Sequence, residues 1–198
     1  MAYFKYYPHP EKWLKNINEA TCELCSQYSV CITANDVRLD KDKRYCITCI
    51  NNFSLKPFLE TEDRRINEAS YKSIIEERTK RFPQKDHDEI VKEAKYFQDL
   101  IRYATPKVVT WQDITWPDHC GDFCIFESYG AQSEINALAD DGDGNAFMEG
   151  AVEDWHLEFW NELSDNPLTN ENCLDSHIGI YIFRCLECHK AILQWNFC

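Results

Sequence analysis

The chain has 198 residues and a formal net charge of −13, with 44% hydrophobic and 14% aromatic residues. This composition excludes a disordered chain and predicts a folded globule of one domain or two small ones. No apolar run approaches the roughly 18 residues that a membrane helix needs, and the N-terminus lacks the apolar core of a signal peptide. We therefore expect a cytoplasmic protein, in which the eleven cysteines are metal ligands or free thiols rather than disulfides.

The charge is distributed unevenly along the chain. Residues 1–58 carry 8 basic and 6 acidic side chains, and residues 59–107 carry 11 of each. Residues 108–198 carry only Arg184 and Lys190 against 17 acids. Such a segment repels nucleic acid and attracts basic partners, or it is simply a solvated acidic surface.

Two C-x-x-C pairs near the N-terminus give the strongest signal in the sequence. Cys22 and Cys25 are followed after twenty residues by Cys46 and Cys49. Each pair places two thiolates on one tight turn, and two facing turns complete a tetrahedron around zinc. The β-prone stretch 28–33 between them predicts the layout of a zinc ribbon, which is a knuckle, a hairpin and a second knuckle.

A second set of paired cysteines predicts a second zinc site. Cys120 and Cys124 form a C-x-x-x-C pair, and Cys185 and Cys188 form a C-x-x-C pair between two predicted strands. A metal shared by these pairs would tie distant segments together and stabilise the fold. Three alternatives stay open: His119 could replace Cys120 as a ligand, the four pairs could combine differently, or one tetrad could hold free thiols.

The middle of the chain predicts a helical hairpin. One helix is expected from about Thr61 to Phe82 and a second from about Asp86 to Tyr103, with apolar side chains at helical spacing. The hairpin is either a scaffold packed on the ribbons, which we favour, or a partner-binding surface. Further along, Asp154 can cap a short helix over 155–163.

The predicted fold is therefore α+β, with two zinc-ribbon-like β modules and a helical hairpin insertion. The predicted segments are an N-terminal zinc-ribbon module over 1–58, the hairpin over 59–107 and an acidic second zinc-ribbon module over 108–198, and we expect them to form one compact unit.

The acidic stretch Asp140–Asn145 has the composition of a calcium loop but not its pattern. With the loop starting at Asp141, Ala146 stands where glycine is needed and Val152 where a bidentate glutamate is needed. We therefore predict no calcium site there.

The chain resembles the CbrC-like family over most of its length. The matching stretches are 4–10, the Cys22/Cys25 pair, 45–50, 105–112, Trp116, 119–124, 183–188 and Trp195. The family has Cys-Pro-Trp-Cys at the second pair, where this chain has Ile47 and Thr48, and glycine after the last knuckle, where it has His189.

The resemblance implies a bacterial origin and an association with tolerance to a DNA-cleaving colicin. Relatives also resemble immunity proteins found beside secreted polymorphic or contact-dependent toxins. We therefore predict a zinc-stabilised immunity protein that binds a basic toxin domain, possessing two Zn(II) ions per chain. The acids expected to bind the toxin are Asp140, Asp141, Asp143, Glu149, Glu153 and Asp154. Trp155 and Trp160 are either interface anchors or core residues.

Two other classes of function are less compatible with the sequence. A nucleic-acid-binding zinc ribbon, or a stress-tolerance protein without a toxin partner, is the alternative, but a contact face for nucleic acid needs Lys and Arg, and only residues 1–58 lean basic. An enzyme is not expected, because four-thiolate zinc sites leave no open coordination position and the P-loop, G-x-S-x-G and H-E-x-x-H motifs are missing from the sequence.

Overall fold

The computed structural model describes residues 4–14, 16–37, 43–55, 66–110, 114–152, 155–165 and 177–197. Its helices are α1 (Pro10–Trp13), α2 (Ile47–Asn51), α3 (Glu68–Arg81), α4 (His87–Ala104), α5 (Gln132–Asn136), α6 (Gly144–Ala151) and α7 (Leu157–Glu162), with a 3-10 turn at Ala34–Val37. Its strands are β1 (Asn18–Thr21), β2 (Tyr28–Thr33), β3 (Arg44–Cys46), β4 (Asp118–His119), β5 (Asp122–Phe123), β6 (Ile125–Tyr129), β7 (Ile178–Arg184) and β8 (Ala191–Phe197). This mixture confirms the predicted α+β class.

Within the described ranges the strands form three small antiparallel sheets, ordered β1-β2-β3, β4-β5 and β6-β7-β8. The longest pairing joins β7 to β8, from Ile178 opposite Phe197 to Arg184 opposite Ala191. Each C-x-x-C turn at 22–25 and 185–188 lies between two strands that pair with each other, as β1 pairs with β2 and β7 with β8. The sheets thus bring each of these turns to one end of a hairpin.

Helices α3 and α4 form the predicted hairpin. The side chain of Asn67 accepts a hydrogen bond from Ser70 N at 2.6 Å and caps α3. The predicted start at 61–63 lies outside the described residues, but Ile66 and Asn67 are not helical, so α3 begins later than predicted. Asp86 caps α4 by accepting from Asp88 N at 2.8 Å, so this helix begins one residue after the predicted position. Both caps satisfy backbone N–H groups that the first turn of a helix leaves without partners.

The apolar face of this hairpin lies in the protein interior. Ile74 of α3 and Ala94 and Ile101 of α4 are fully buried in the larger of the two hydrophobic cores that the described residues form. This packing agrees with the scaffold interpretation. None of the helices within the described ranges is long and apolar enough to cross a membrane.

The sheet β6-β7-β8 lies between the two cores. Tyr181 and Phe183 of β7 point into the larger core, whereas Ile178 and Ile180 point into the smaller one, because successive side chains of a strand face opposite sides. The larger core also holds the N-terminal aromatics, with Tyr7 stacked on Phe126 at 5.4 Å. The smaller core is built from Ile135, Met148, Trp155, Leu163, Ile178 and Ile180.

The short helix predicted over 155–163 is present but starts later. It is α7, and the residue before its first turn is His156, whose side chain makes no capping hydrogen bond. The predicted cap Asp154 lies outside the described residues. Trp155 precedes the helix and is buried in the smaller core, where its ring contacts Trp195 at 5.7 Å.

Candidate metal centres

The first cysteine group comes together as its spacing predicts. The four Sγ atoms of Cys22, Cys25, Cys46 and Cys49 all lie within 4.8 Å of one another. Cys22 Sγ is 4.0 Å from Cys49 Sγ, and Cys25 Sγ is 3.7 Å from Cys46 Sγ. A tetrahedral zinc with bonds of about 2.3 Å to sulfur separates its ligands by about 3.8 Å, so this group fits zinc.

The turn at Cys22–Cys25 is a tight knuckle. Cys22 N donates to Gln27 O at 2.9 Å, and Ser26 N donates back to Cys22 O at 2.9 Å. Ser26 has a φ of 59°, in the left-handed region that glycine adopts most easily. These two hydrogen bonds hold the cysteines on one side of the turn.

The knuckle at Cys185–Cys188 repeats this hydrogen-bond pattern. Cys185 N donates to Lys190 O at 3.0 Å, and His189 N donates to Cys185 O at 3.2 Å. His189 has a φ of 59°, like Ser26 in the first knuckle. The position where the CbrC-like pattern has glycine is therefore the one whose backbone needs a left-handed conformation.

The pair Cys46 and Cys49 is held differently from the predicted second knuckle. Cys46 ends β3 and caps α2, where its Sγ accepts from Cys49 N at 3.4 Å. The sulfurs of this pair thus lie on the first turn of a helix. Cys31, predicted to be a core thiol, is fully buried and donates to Ala20 O.

Backbone N–H groups stabilise the thiolate of Cys22. Burial raises the pKa of this thiol, but hydrogen bonds from N–H groups outweigh the effect, led by that of Cys46 at 3.3 Å, and lower the pKa to about 6. Burial, with the neighbouring thiols, raises the pKa of Cys49. Sulfurs this close repel one another when ionised, which a bound cation would relieve.

The second group differs from the predicted ligand set. It contains His119, Cys120, Cys185 and Cys188, whose ligand atoms lie within 4.8 Å of one another. His119 Nδ1 is 3.1 Å from Cys120 Sγ and 3.4 Å from Cys188 Sγ. Zinc bonds of about 2.0 Å to nitrogen and 2.3 Å to sulfur give separations of about 3.5 Å, so this group also fits zinc.

Cys124, which the sequence predicted as a ligand, lies outside the second group. His119 occupies the predicted position of Cys124 in this group. The chain reverses at Cys120 and Gly121, so that His119 pairs with Asp122 beside the turn. Cys124 N donates to Pro117 O, which places Cys124 two residues beyond Asp122 along the strand. Because each residue of a strand advances the chain by about 3.3 Å, Cys124 lies further from the turn than His119 does. Cys124 is fully buried in the larger core, which raises the pKa of its thiol to about 12. One alternative left open by the sequence was that His119 replaces Cys120 as a ligand. In the structure both residues belong to the second group.

Two arginines of α3 hold the loops of the second group. Arg81 donates to Cys120 O at 2.7 Å and makes a two-pronged ion pair with Glu187, which lies between Cys185 and Cys188. Arg78 donates to Gly121 O at 3.3 Å. One helix thereby bridges both ligand-bearing segments and places positive charge beside the thiolates. Neither arginine was predicted from the sequence, because no spacing in it links them to the cysteines.

The predicted partner-binding acids are exposed where the structure describes them. Asp140, Asp141 and Asp143 lie in the turn between α5 and α6, and Glu149 lies on α6. Asp143 caps α6 by accepting from Ala146 N at 3.0 Å. Glu153 and Asp154 lie outside the described residues. Trp155 belongs to the smaller core, and Trp160 packs against that core while half-buried.

Comparison with known proteins gives a family without a known activity. A curated relative, the UPF0167 protein PA1536 of Pseudomonas aeruginosa, is 30% identical over 93 residues, which cover 47% of this chain and 48% of the relative. The match thus spans about half the length of that relative. No solved structure matches the chain. The family model described as "Uncharacterised protein family (UPF0167)" matches residues 1–197, and the chain therefore belongs to this family.

Proposed function

We propose that the chain is a non-enzymatic binding protein stabilised by two Zn(II) ions. The observation that carries this proposal is the pair of four-ligand groups, each with all its ligand atoms within 4.8 Å of one another. In both groups the protein supplies four ligands, so no coordination position is left for water or substrate. Such closed sites are typical of structural rather than catalytic zinc.

We propose further that the partner is a basic protein domain, as in an immunity protein bound to its toxin. Support comes from the CbrC-like resemblance and from the charge of residues 108–198, with 17 acids against two basic residues. Asp140, Asp141 and Glu149 are exposed, and their carboxylates can therefore meet a cationic surface. Complementary charge accelerates association and disfavours wrong partners.

The partner is tested by affinity capture from the source organism, with the tagged chain washed at low and at high salt. The expected result is a basic protein domain that is retained at low salt and released at high salt. Nucleic acid in its place would replace this proposal with the zinc-ribbon alternative, and a partner that is acidic or indifferent to salt would contradict it.

The role of the acids is tested on the captured partner with a triple variant, Asp140→Asn, Asp141→Asn and Glu149→Gln. Asp143 is left intact because it caps α6. The matched control removes the same charge from the exposed side chains of the helical hairpin, as Glu76→Gln, Asp88→Asn and Glu89→Gln. We expect the first triple to slow association about tenfold and the control to have little effect. Equal effects of the two triples would contradict a local acidic interface.

A further inference from the structure

An open cleft of about 690 Å³ lies between α6 and the start of β8. Its walls include Phe147, Gly150, Arg184, Lys190, Ile192 and Leu193. The volume falls in the range of about 300–1,000 Å³ that is typical of small-molecule sites. The cleft shares none of its wall residues with either cysteine group.

Small side chains create this cleft. Ala146 and Gly150 stand one helical turn apart on the face of α6 that borders it, and Ala191 lies on the strand wall. A Cβ atom built on Gly150 would meet no heavy atom within 4 Å. The space beside this glycine is therefore open, and a larger side chain there would enter the cleft.

The charge of the cleft is opposite to that of the surrounding segment. Arg184 and Lys190 are the two basic residues of 108–198, and both line it. No Asp or Glu occurs among its described wall residues, although the segment contains 17 acids. An acidic segment thus presents both of its cations on one largely apolar cavity.

The two cations have different roles. Arg184 is held by an ion pair with Glu127, whose Oε2 lies 2.8 Å from Nε and 2.7 Å from Nη2, and it donates from Nη1 to His189 O at 2.8 Å. Lys190 is exposed and has no ion-pair partner within the part of the chain that the structure describes. Its ammonium group is therefore available to an anion. The charge of Arg184 is neutralised by Glu127, so this side chain serves as a fixed part of the cleft wall.

We propose that this cleft binds a small amphipathic carboxylate. Its apolar body lies against Phe147, Ile192 and Leu193, and its carboxylate pairs with Lys190 Nζ. Burial of the hydrocarbon body supplies the attraction, and the ion pair selects the charged headgroup. The proposal goes beyond the toxin-binding function and does not depend on it.

The probe is decanoate below its micellar concentration, compared with decanol, and binding is measured by calorimetry on the zinc-loaded chain. We expect one decanoate per chain and at least about tenfold weaker binding of decanol, which lacks the charge. Lys190→Gln should weaken the binding of decanoate by about the same factor and leave the binding of decanol unchanged. Gly150→Leu should weaken the binding of both, because its side chain enters the cleft and takes up part of the space beside the apolar wall.

Controls separate these effects from damage to the fold. Lys80→Gln removes an exposed lysine of α3 and should bind decanoate like the wild type. Zinc content and melting temperature should be unchanged in Lys190→Gln, since the knuckle uses only the main chain of this residue. The proposal is overturned if decanoate shows no saturable binding to the wild type, if Gly150→Leu binds it undiminished, or if Lys190→Gln binds it as the wild type does.

Discussion

His119 Nδ1 lies 3.4 Å from Cys188 Sγ, although 69 residues separate the two in the chain. This contact joins the hairpin β4-β5 to the knuckle that follows β7. It makes His119 the fourth ligand of the second candidate centre and leaves Cys124 in the core. The alternative ligand sets predict different metal contents for single variants.

Alanine at His119 should remove the second zinc, whereas alanine at Cys124 should not. We expect His119→Ala to hold one zinc per chain and Cys124→Ala to hold two, as counted by native mass spectrometry. Cys124→Ala should lower the free energy of unfolding by only about 1 kcal/mol, because a small buried thiol is replaced by a methyl group. Loss of a zinc from Cys124→Ala with retention in His119→Ala would restore the four-cysteine set predicted from the sequence.

Arg81 should tune the metal affinity of the second centre without being a ligand. Arg81→Ala removes the hydrogen bond to Cys120 O and the ion pair with Glu187, and loss of such outer contacts weakens metal binding by about 10- to 100-fold. Competition with a chromogenic chelator measures this change. Lys80→Ala, on the exposed side of the same helix, is the control, and an equal loss of affinity in both variants would refute the role of Arg81.

Gly121 should tolerate no side chain. Its φ is +76°, and a Cβ atom there would lie 2.8 Å from Cγ of Arg78. We expect Gly121→Ala to lower the free energy of unfolding by about 2 kcal/mol, from backbone strain and displacement of Arg78. Gly150→Ala is the matched control, because Gly150 lies in helix α6 and a Cβ atom there would meet only open space. This substitution should stabilise the protein by about 0.5–1 kcal/mol. Thermal unfolding of both variants checks the difference, and a Gly121→Ala variant as stable as the wild type would contradict it.

The second centre should lose zinc to a chelator before the first. Each group has one exposed cysteine, Cys25 in the first and Cys188 in the second, but the first group has Cys22 and Cys46 buried, whereas in the second only Cys185 is buried. We expect two phases of zinc release, with the fast phase coming from the second centre and followed by loss of the fold around it, since metal binding and folding are coupled. The His119→Ala variant should show the slow phase alone. A fast phase that persists in this variant would show that the first centre is the one that loses its zinc sooner.

The sequence by itself determined the parts that depend on local chemistry. The spacing of Cys22, Cys25, Cys46 and Cys49 predicted the first group, which the structure brings together, because short turns fix where neighbouring thiols point. Helical periodicity located both ends of α4 and the C-terminal end of α3 to within one residue, whereas α3 begins later than predicted. The α+β class followed from the same local signals.

Only the tertiary structure decided which groups meet across long distances. The choice of His119 over Cys124 depends on where β4 and β5 reverse, and one residue of register changes which side chain reaches the knuckle at 185–188. The position of Arg81 beside Glu187 arises from packing of α3 against two loops, which no sequence spacing encodes. The cleft at Gly150 likewise exists because a helix and a strand distant in sequence both carry small residues where they face each other.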